Sequence, residues 1–168
     1  MNLQHQSTNN TKTLAAQLGA ILADKQMMIT TAESCTGGGI AYAITDTPGS
    51  SRYFAEAMVT YSNEAKHERL GVSKQTLADY GAVSEQTVRE MAIGAAQAAE
   101  ADVAVVTSGI AGPDGGSDDK PVGLVWFAVF FNQQVSVQQQ VFTGDRAYVR
   151  EQAIAHALAM TVKIIESA

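Results

Sequence analysis

The sequence holds one cysteine, Cys35, so no intrachain disulfide can form. A fold held by its own core, in a reducing compartment, is expected. Positive charge is scarce: 11 Lys and Arg stand against 17 Asp and Glu, for a net charge of −6. No Lys/Arg cluster breaks that acidic balance, which argues against a nucleic-acid partner. A small phosphorylated ligand is still allowed, because one or two local cations suffice to hold a phosphate. No apolar run approaches the ~20 residues of a membrane-spanning helix. The polar start, Met1 to Asn10, lacks the charged-then-apolar pattern of a secretory signal. No membrane partner is expected, and the cytoplasm is the expected location. The three histidines, His5, His67 and His156, are scattered, as is Cys35, so no zinc-site spacing exists. No metal and no cofactor are expected. A Walker loop, a GxGxxG at a helix start and a GxSxG elbow are all absent.

What is present is a globular chain. Of its 168 residues, 46% are apolar and 17% charged, enough for one domain with a full core and short for two. The Asn/Gln-rich segment 1–10 reads as a flexible tail and 11–168 as a single domain. Leu14, Leu18, Ile21 and Leu22 recur at helical spacing. Met27, Met28 and Ile29 read as a short buried strand, and Ile40 to Ile44 as a helix. Pro48 and Gly49 mark a loop. Phe54 to Tyr61 reads as a strand. Ser62, Ser73 and Ser84 each read as a helix N-cap, with Gly71 and Gly81 closing the first two helices. The third shows an apolar face of Val88, Met91, Ala92, Ala95 and Ala99. Val103 to Thr107 is a continuous apolar run, hence a buried strand. Leu124 to Phe131 and Val135 to Phe142 form a hairpin about Asn132-Gln133. Asp145 starts a last helix with Ile154, Leu158, Val162 and Ile165 inside. Strands alternate with helices except at the hairpin. The fold class is therefore α/β: a three-layer α/β/α sandwich on a mixed, mostly parallel sheet with one antiparallel strand.

Two glycine-rich stretches each follow a strand, Thr30–Gly39 and Ser108–Gly116. In open α/β sheets such loops meet at the carboxyl rim, where ligands bind. In the first, Ser34 stands at a turn that opens a helix. A Ser there can attack a carbonyl while nearby backbone N–H groups hold the oxyanion; the same stretch also reads as an ordinary N-capped connection. Cys35 is a rival nucleophile or a small buried filler. Ser34 needs a base. Lys66, in the first turns of a helix, is one choice because the helix N-terminus disfavours its charge; it also reads as a plain surface lysine. A histidine is the other choice. Arg146 and Arg150 each suit a phosphate or carboxylate, or simply solvent.

Six ordered segments carry a resemblance across nearly the whole chain. They are Thr31-Ala32-Glu33-Ser34-Cys35-Thr36-Gly37-Gly38, Pro48-Gly49-Ser50-Ser51, Val59-Thr60-Tyr61-Ser62-Asn63-Glu64-Ala65-Lys66, Gly81-Ala82-Val83-Ser84-Glu85, Ser108-Gly109-Ile110-Ala111-Gly112-Pro113-Asp114-Gly115-Gly116 and Lys120-Pro121-Val122-Gly123. Together they resemble the CinA C-terminal domain family, whose stand-alone members are bacterial nicotinamide mononucleotide deamidases. The resemblance implies a three-layer α/β/α fold. It implies hydrolysis of the carboxamide of nicotinamide mononucleotide to nicotinate mononucleotide and ammonia, in pyridine nucleotide recycling. The nucleophile falls on Ser34, the base on Lys66 and an assisting hydroxyl on Tyr61. Substrate contacts are expected from Thr36, Gly37, Gly38, Ser50, Ser108, Gly109, Ile110, Ala111, Gly112 and Arg146. A homo-oligomer, a dimer, is expected. The alternative is a catalytically weak nucleotide-binding or interaction domain linked to competence or DNA damage.

Overall fold

The computed structural model describes the backbone of residues 3–168 and the side chains from Asn10 onward. The elements in order are α1 (Leu3–Lys25), β1 (Ile29–Glu33), α2 (Gly39–Thr45), a 3-10 turn (Ser50–Arg52), β2 (Phe54–Val59), α3 (Asn63–Leu70), α4 (Lys74–Tyr80), α5 (Glu85–Ala98), β3 (Val103–Gly109), β4 (Leu124–Phe131), β5 (Gln134–Val141) and α6 (Arg146–Glu166). They build one five-stranded sheet in the order β2-β1-β3-β4-β5. β1 pairs in parallel with β2 and β3, whereas β4 runs antiparallel to both its neighbours. This is the mixed α/β/α sandwich that the alternation of elements predicts.

Side chains of β3 alternate between two cores. Val103 and Val105 join α1, α2 and α6 on one face; Ala104 and Val106 join α5 on the other. A strand buried on both faces needs no polar alternation, which is why its sequence is a continuous apolar run. The α5 face of the sheet is lined by small residues, Ala32, Ala104 and Ala128, so this Ala-rich helix sits close. Ala99, counted on its apolar face, instead caps the helix C-terminus and is half-buried.

The caps follow the sequence. Ser62, Ser73, Ser84 and Asp145 each accept a hydrogen bond from a first-turn N–H of the helix they start. Asn132 and Gln133 both take positive φ, as a tight two-residue hairpin requires. Two boundaries differ. α1 starts at Leu3, well before the apolar spacing that announces it, so part of the segment read as a tail continues the helix; Met1 and Asn2 lie outside the described residues. β1 begins at Ile29 and takes in Thr30, Thr31, Ala32 and Glu33, all fully buried. Thr30, Thr31 and Glu33 look like a loop in sequence because their polarity hides that each is satisfied inside the fold. Thr30 Oγ1, for example, donates to Glu56 O at 2.9 Å. Among the described residues no helix is long and apolar enough to cross a membrane.

One contact sets where α3 lies. A Cβ on Gly94, in α5, would overlap the Leu70 carbonyl at the end of α3. Backbone cannot give way as a flexible side chain can, so Gly94→Ala should cost about 2 kcal/mol. A fall in Tm of roughly 4–8 °C is expected for a chain of this size. Calorimetry of the folded variant checks it, and an unchanged Tm would mean that α3 moves freely over α5.

Candidate active site

Three connections meet at the carboxyl rim of the parallel strands: the β1–α2 turn (residues 34–38), the β2–α3 link (Thr60–Ser62) and the β3–β4 loop (residues 110–123). The first presents Ser34. Its N–H donates to Thr107 O at 3.0 Å, which pins it to the end of β3. The second brings in α3, and Lys66 lies on the first turn of that helix, facing inward. Lys66 Nζ stands 3.1 Å from Ser34 Oγ and donates to Thr60 O at 2.7 Å and Tyr61 O at 3.3 Å. Lys66 is only 1% exposed and Ser34 8%. No carboxylate pairs with the lysine among the described residues. Burial therefore holds its pKa down at about 8, against an ordinary 10.5. Ser34 and Lys66 thus stand in contact, on different elements.

Cys35 lies beside them, and burial pushes its thiol up to about 11. Almost none of it is thiolate at neutral pH, so it is the poorer nucleophile here. The histidines have other partners. His67 Nδ1 is bonded to Val72 O, and His156 packs on Phe127 and Phe142 with Nε2 on Gln138.

The turn around Ser34 is tightly bonded. Gly37 and Gly38 take φ of 60° and 90°, a region open to glycine. Their N–H groups are used internally, Gly37 to Ser34 O and Gly38 to Glu33 Oε2. Thr36 is fully buried, and its hydroxyl donates to Glu33 Oε2 at 2.6 Å. It follows that the Thr107 hydroxyl, 2.7 Å away, donates to Thr36. The side chain of Thr36 is thus committed within the protein. The turn leaves the N–H groups of Cys35 and Thr36 with no backbone acceptor among the described residues.

In the third connection, Ser108 Oγ donates to Ala82 O, tying β3 to the start of α5. Gly109 permits the close approach of β3 to β4, since a Cβ there would sit 2.7 Å from Leu124 O. Ile110 exchanges backbone hydrogen bonds with Leu124 and Gly123, whereas the N–H groups of Ala111 and Gly112 have no backbone acceptor among the described residues. Arg146 braces this loop: Nη1 donates to Gly112 O at 2.8 Å and Nη2 to Tyr61 Oη at 3.0 Å. Tyr61 is 60% exposed, and its hydroxyl is bonded to Arg146, while its carbonyl is the part that meets Lys66. Arg150, one turn further along α6, donates to the carbonyls of Cys35 and Thr36, each at 3.1 Å. The two arginines therefore differ in position, one at the rim and one clamping the Ser34 turn.

Ser50 does not join these residues. It precedes β2, and that strand runs from Phe54 toward the site, so Ser50 lies at the opposite end of the sheet from Ser34. The loop after α2 has to return to the amino edge before a parallel strand can start. Sequence reasoning also left Glu33 and Thr107 without roles. The signal for Glu33 was a carboxylate ending a strand just ahead of a helix start, where N–H groups need acceptors. No set of three or more His, Cys, Asp or Glu able to hold a metal occurs among the described residues.

The model of the CinA C-terminal domain matches residues 11–165. The chain is 58% identical over 146 residues to the nicotinamide-nucleotide amidohydrolase PncC of Enterobacter agglomerans, covering 86% of this chain and 89% of that one. To the protein of the same name from Escherichia coli K12 it is 56% identical over 146 residues, 86% and 88% of the two chains. Among solved structures, a CinA superfamily protein from Klebsiella pneumoniae 700603 superposes with a TM-score of 0.91 at 40% identity, covering 94% of this chain and 99% of the other. On sequence and on fold alike, the chain belongs to the CinA C-terminal domain family.

Proposed function

We propose that this chain is a nicotinamide-nucleotide amidase, which hydrolyses the carboxamide of nicotinamide mononucleotide to nicotinate mononucleotide and ammonia through a Ser34–Lys66 dyad. The observation that carries the reading is the buried, uncompensated Lys66 ammonium 3.1 Å from Ser34 Oγ. The relatives named nicotinamide-nucleotide amidohydrolase supply the substrate. The protein takes its place as a single domain over 11–168, in the cytoplasm, where a reduced Cys35 is at home, and as a homo-oligomer.

Neutral Lys66 takes the Ser34 proton as Oγ attacks the carboxamide carbon. The oxyanion forms against the free N–H groups of Cys35 and Thr36, which lie on the two residues after the nucleophile. The Lys66 ammonium then gives its proton to the amide nitrogen, the C–N bond breaks and ammonia leaves. Water attacks the acyl-Ser34 ester, Lys66 takes its proton, and the carboxylate departs as Ser34 is regenerated. Direct contact between Ser34 and Lys66 needs no relay. Tyr61 contributes its carbonyl to Lys66 and its hydroxyl to Arg146.

The phosphate is recognised at the rim by the N–H groups of Ala111 and Gly112 with Arg146 as the cation. Arg146→Ala should raise KM for nicotinamide mononucleotide by roughly 30-fold, about 2 kcal/mol, as expected for one charge-assisted pair. Turnover of the riboside, which lacks the phosphate, should change far less. Equal losses on both substrates would remove Arg146 from phosphate recognition. The reading itself is tested by ammonia release from nicotinamide mononucleotide, its riboside and NAD. Release is expected from the mononucleotide; tight binding without release would instead mark a nucleotide-binding module.

A further inference from the structure

Glu33 is the most heavily hydrogen-bonded side chain at the site, and it is fully buried. It forms no ion pair with a lysine or arginine among the described residues. Hydrogen-bond donors take the place of a cation. Oε1 accepts from the Thr31 hydroxyl at 3.2 Å and from Ala41 N–H at 2.9 Å. Oε2 accepts from the Thr36 hydroxyl at 2.6 Å, Gly38 N–H at 3.1 Å and Ile40 N–H at 3.0 Å. Backbone N–H groups face both oxygens, Ala41 on Oε1 and Gly38 and Ile40 on Oε2, so both oxygens accept.

These bonds bracket the residues that do the chemistry. Ser34 directly follows Glu33, and Thr36 and Gly38 are tied back to it. From the far side, Arg150 pulls on the carbonyls of Cys35 and Thr36. A trans peptide directs its C=O and N–H oppositely. Drawing the Cys35 carbonyl toward Arg150 therefore turns the Thr36 N–H away from α6. With Glu33 fixing Thr36 from beneath, that peptide has one orientation.

We propose that Glu33 is a positioning residue for acyl transfer: by locking the 34–38 turn it aims the Cys35 and Thr36 N–H groups at the oxyanion formed when Ser34 attacks. The inference rests on the amidase reading of the site. Glu33 touches no substrate; it acts through Thr36 and Gly38.

Glu33→Gln tests it. An amide can offer oxygen to one set of donors only, so its NH2 must face either Ala41 N–H or those of Gly38 and Ile40. The expected result is a kcat lowered about 30–300-fold, approaching the roughly 10²–10³-fold seen when one oxyanion donor is lost outright, with KM within about 3-fold. The pH at which activity rises should stay put, because Lys66 is untouched. A folded Glu33→Gln enzyme with wild-type kcat, or with its loss carried by KM, would overturn the proposal. Should that variant fail to fold, the buried, isosteric Thr107→Val decides. It withdraws the hydroxyl that Thr36 accepts and should lower kcat about 3–10-fold at constant KM, with Thr107→Ser recovering most of the loss. Equal losses in the two Thr107 variants, or none in either, would overturn the proposal.

A fluorophosphonate probe separates this inference from the substrate assignment. Ser34 Oγ bonds to phosphorus, fluoride leaves, Lys66 takes the hydroxyl proton, and the phosphoryl oxygen enters the same N–H groups. Labelling of Ser34 should slow in Glu33→Gln by the same factor as kcat. Wild-type labelling without ammonia release would sink the amidase reading and leave Glu33 standing. Ammonia release by the wild type with equal labelling of both proteins would sink the role of Glu33 alone.

Discussion

Ser34→Ala should lower ammonia release by about 10⁴-fold or more, the scale on which removal of a serine nucleophile acts. Binding of nicotinamide mononucleotide should survive, because the rim groups of the β3–β4 loop and Arg146 are untouched. Calorimetric titration of the variant measures this directly. The neighbouring thiol should behave in the opposite way. Cys35 is buried and its pKa stands near 11, so a thiol-alkylating reagent should leave the native enzyme active. Cys35→Ala should keep the larger part of turnover, since the N–H that Cys35 supplies is backbone. Inactivation by the reagent together with a dead, folded Cys35→Ala would transfer the nucleophile to the thiol.

Lys66→Arg should be about 10³-fold slower, the usual contribution of a general base. Arginine keeps the positive charge and gives up the titration. In the proposed mechanism the lysine serves as base because of where its pKa lies. With a value of about 8, roughly one molecule in ten carries a neutral Lys66 at pH 7; at an ordinary value it would be about one in three thousand. The base must be unprotonated, so kcat/KM should rise with pH through about 8 and level off above it. A bound pyridinium is a second cation near the ammonium, so the limb in kcat should lie at lower pH. Lys66→Ala should lose the limb and regain part of its rate with small added amines. A limb that persists unchanged in Lys66→Ala would assign it to another group.

Much of this arrangement is legible in the sequence. The caps are, because Ser62, Ser73, Ser84 and Asp145 act on N–H groups two or three residues away. The sandwich is, because alternation of elements with a single hairpin allows few topologies. The contact between Ser34 and Lys66 is not legible from spacing alone. Ser34 and Lys66 lie on separate elements, and only the parallel pairing of β1 with β2 sets them side by side. The polarity of Thr30 to Glu33 suggests a loop until their buried partners are known. Arg146 and Arg150 share the first turns of α6, and composition cannot say which faces the rim and which clamps the turn. Ser50 belongs to a segment carrying the family resemblance, yet the direction of β2 places it at the other end of the sheet. Local signals survive in sequence because their physics is local, and the partners of Glu33 all lie within eight residues of it; the clamp by Arg150 depends on segments brought together from afar.

The central claim is that Ser34 carries the acyl group, and acid-quenched mass spectrometry tests it most directly. Enzyme is mixed with nicotinamide mononucleotide, quenched during turnover and digested. The expected product is the peptide bearing Ser34 as its nicotinate mononucleotide ester, absent from Ser34→Ala. An adduct on Cys35 instead, or ammonia release that persists in Ser34→Ala with no adduct at all, would contradict it.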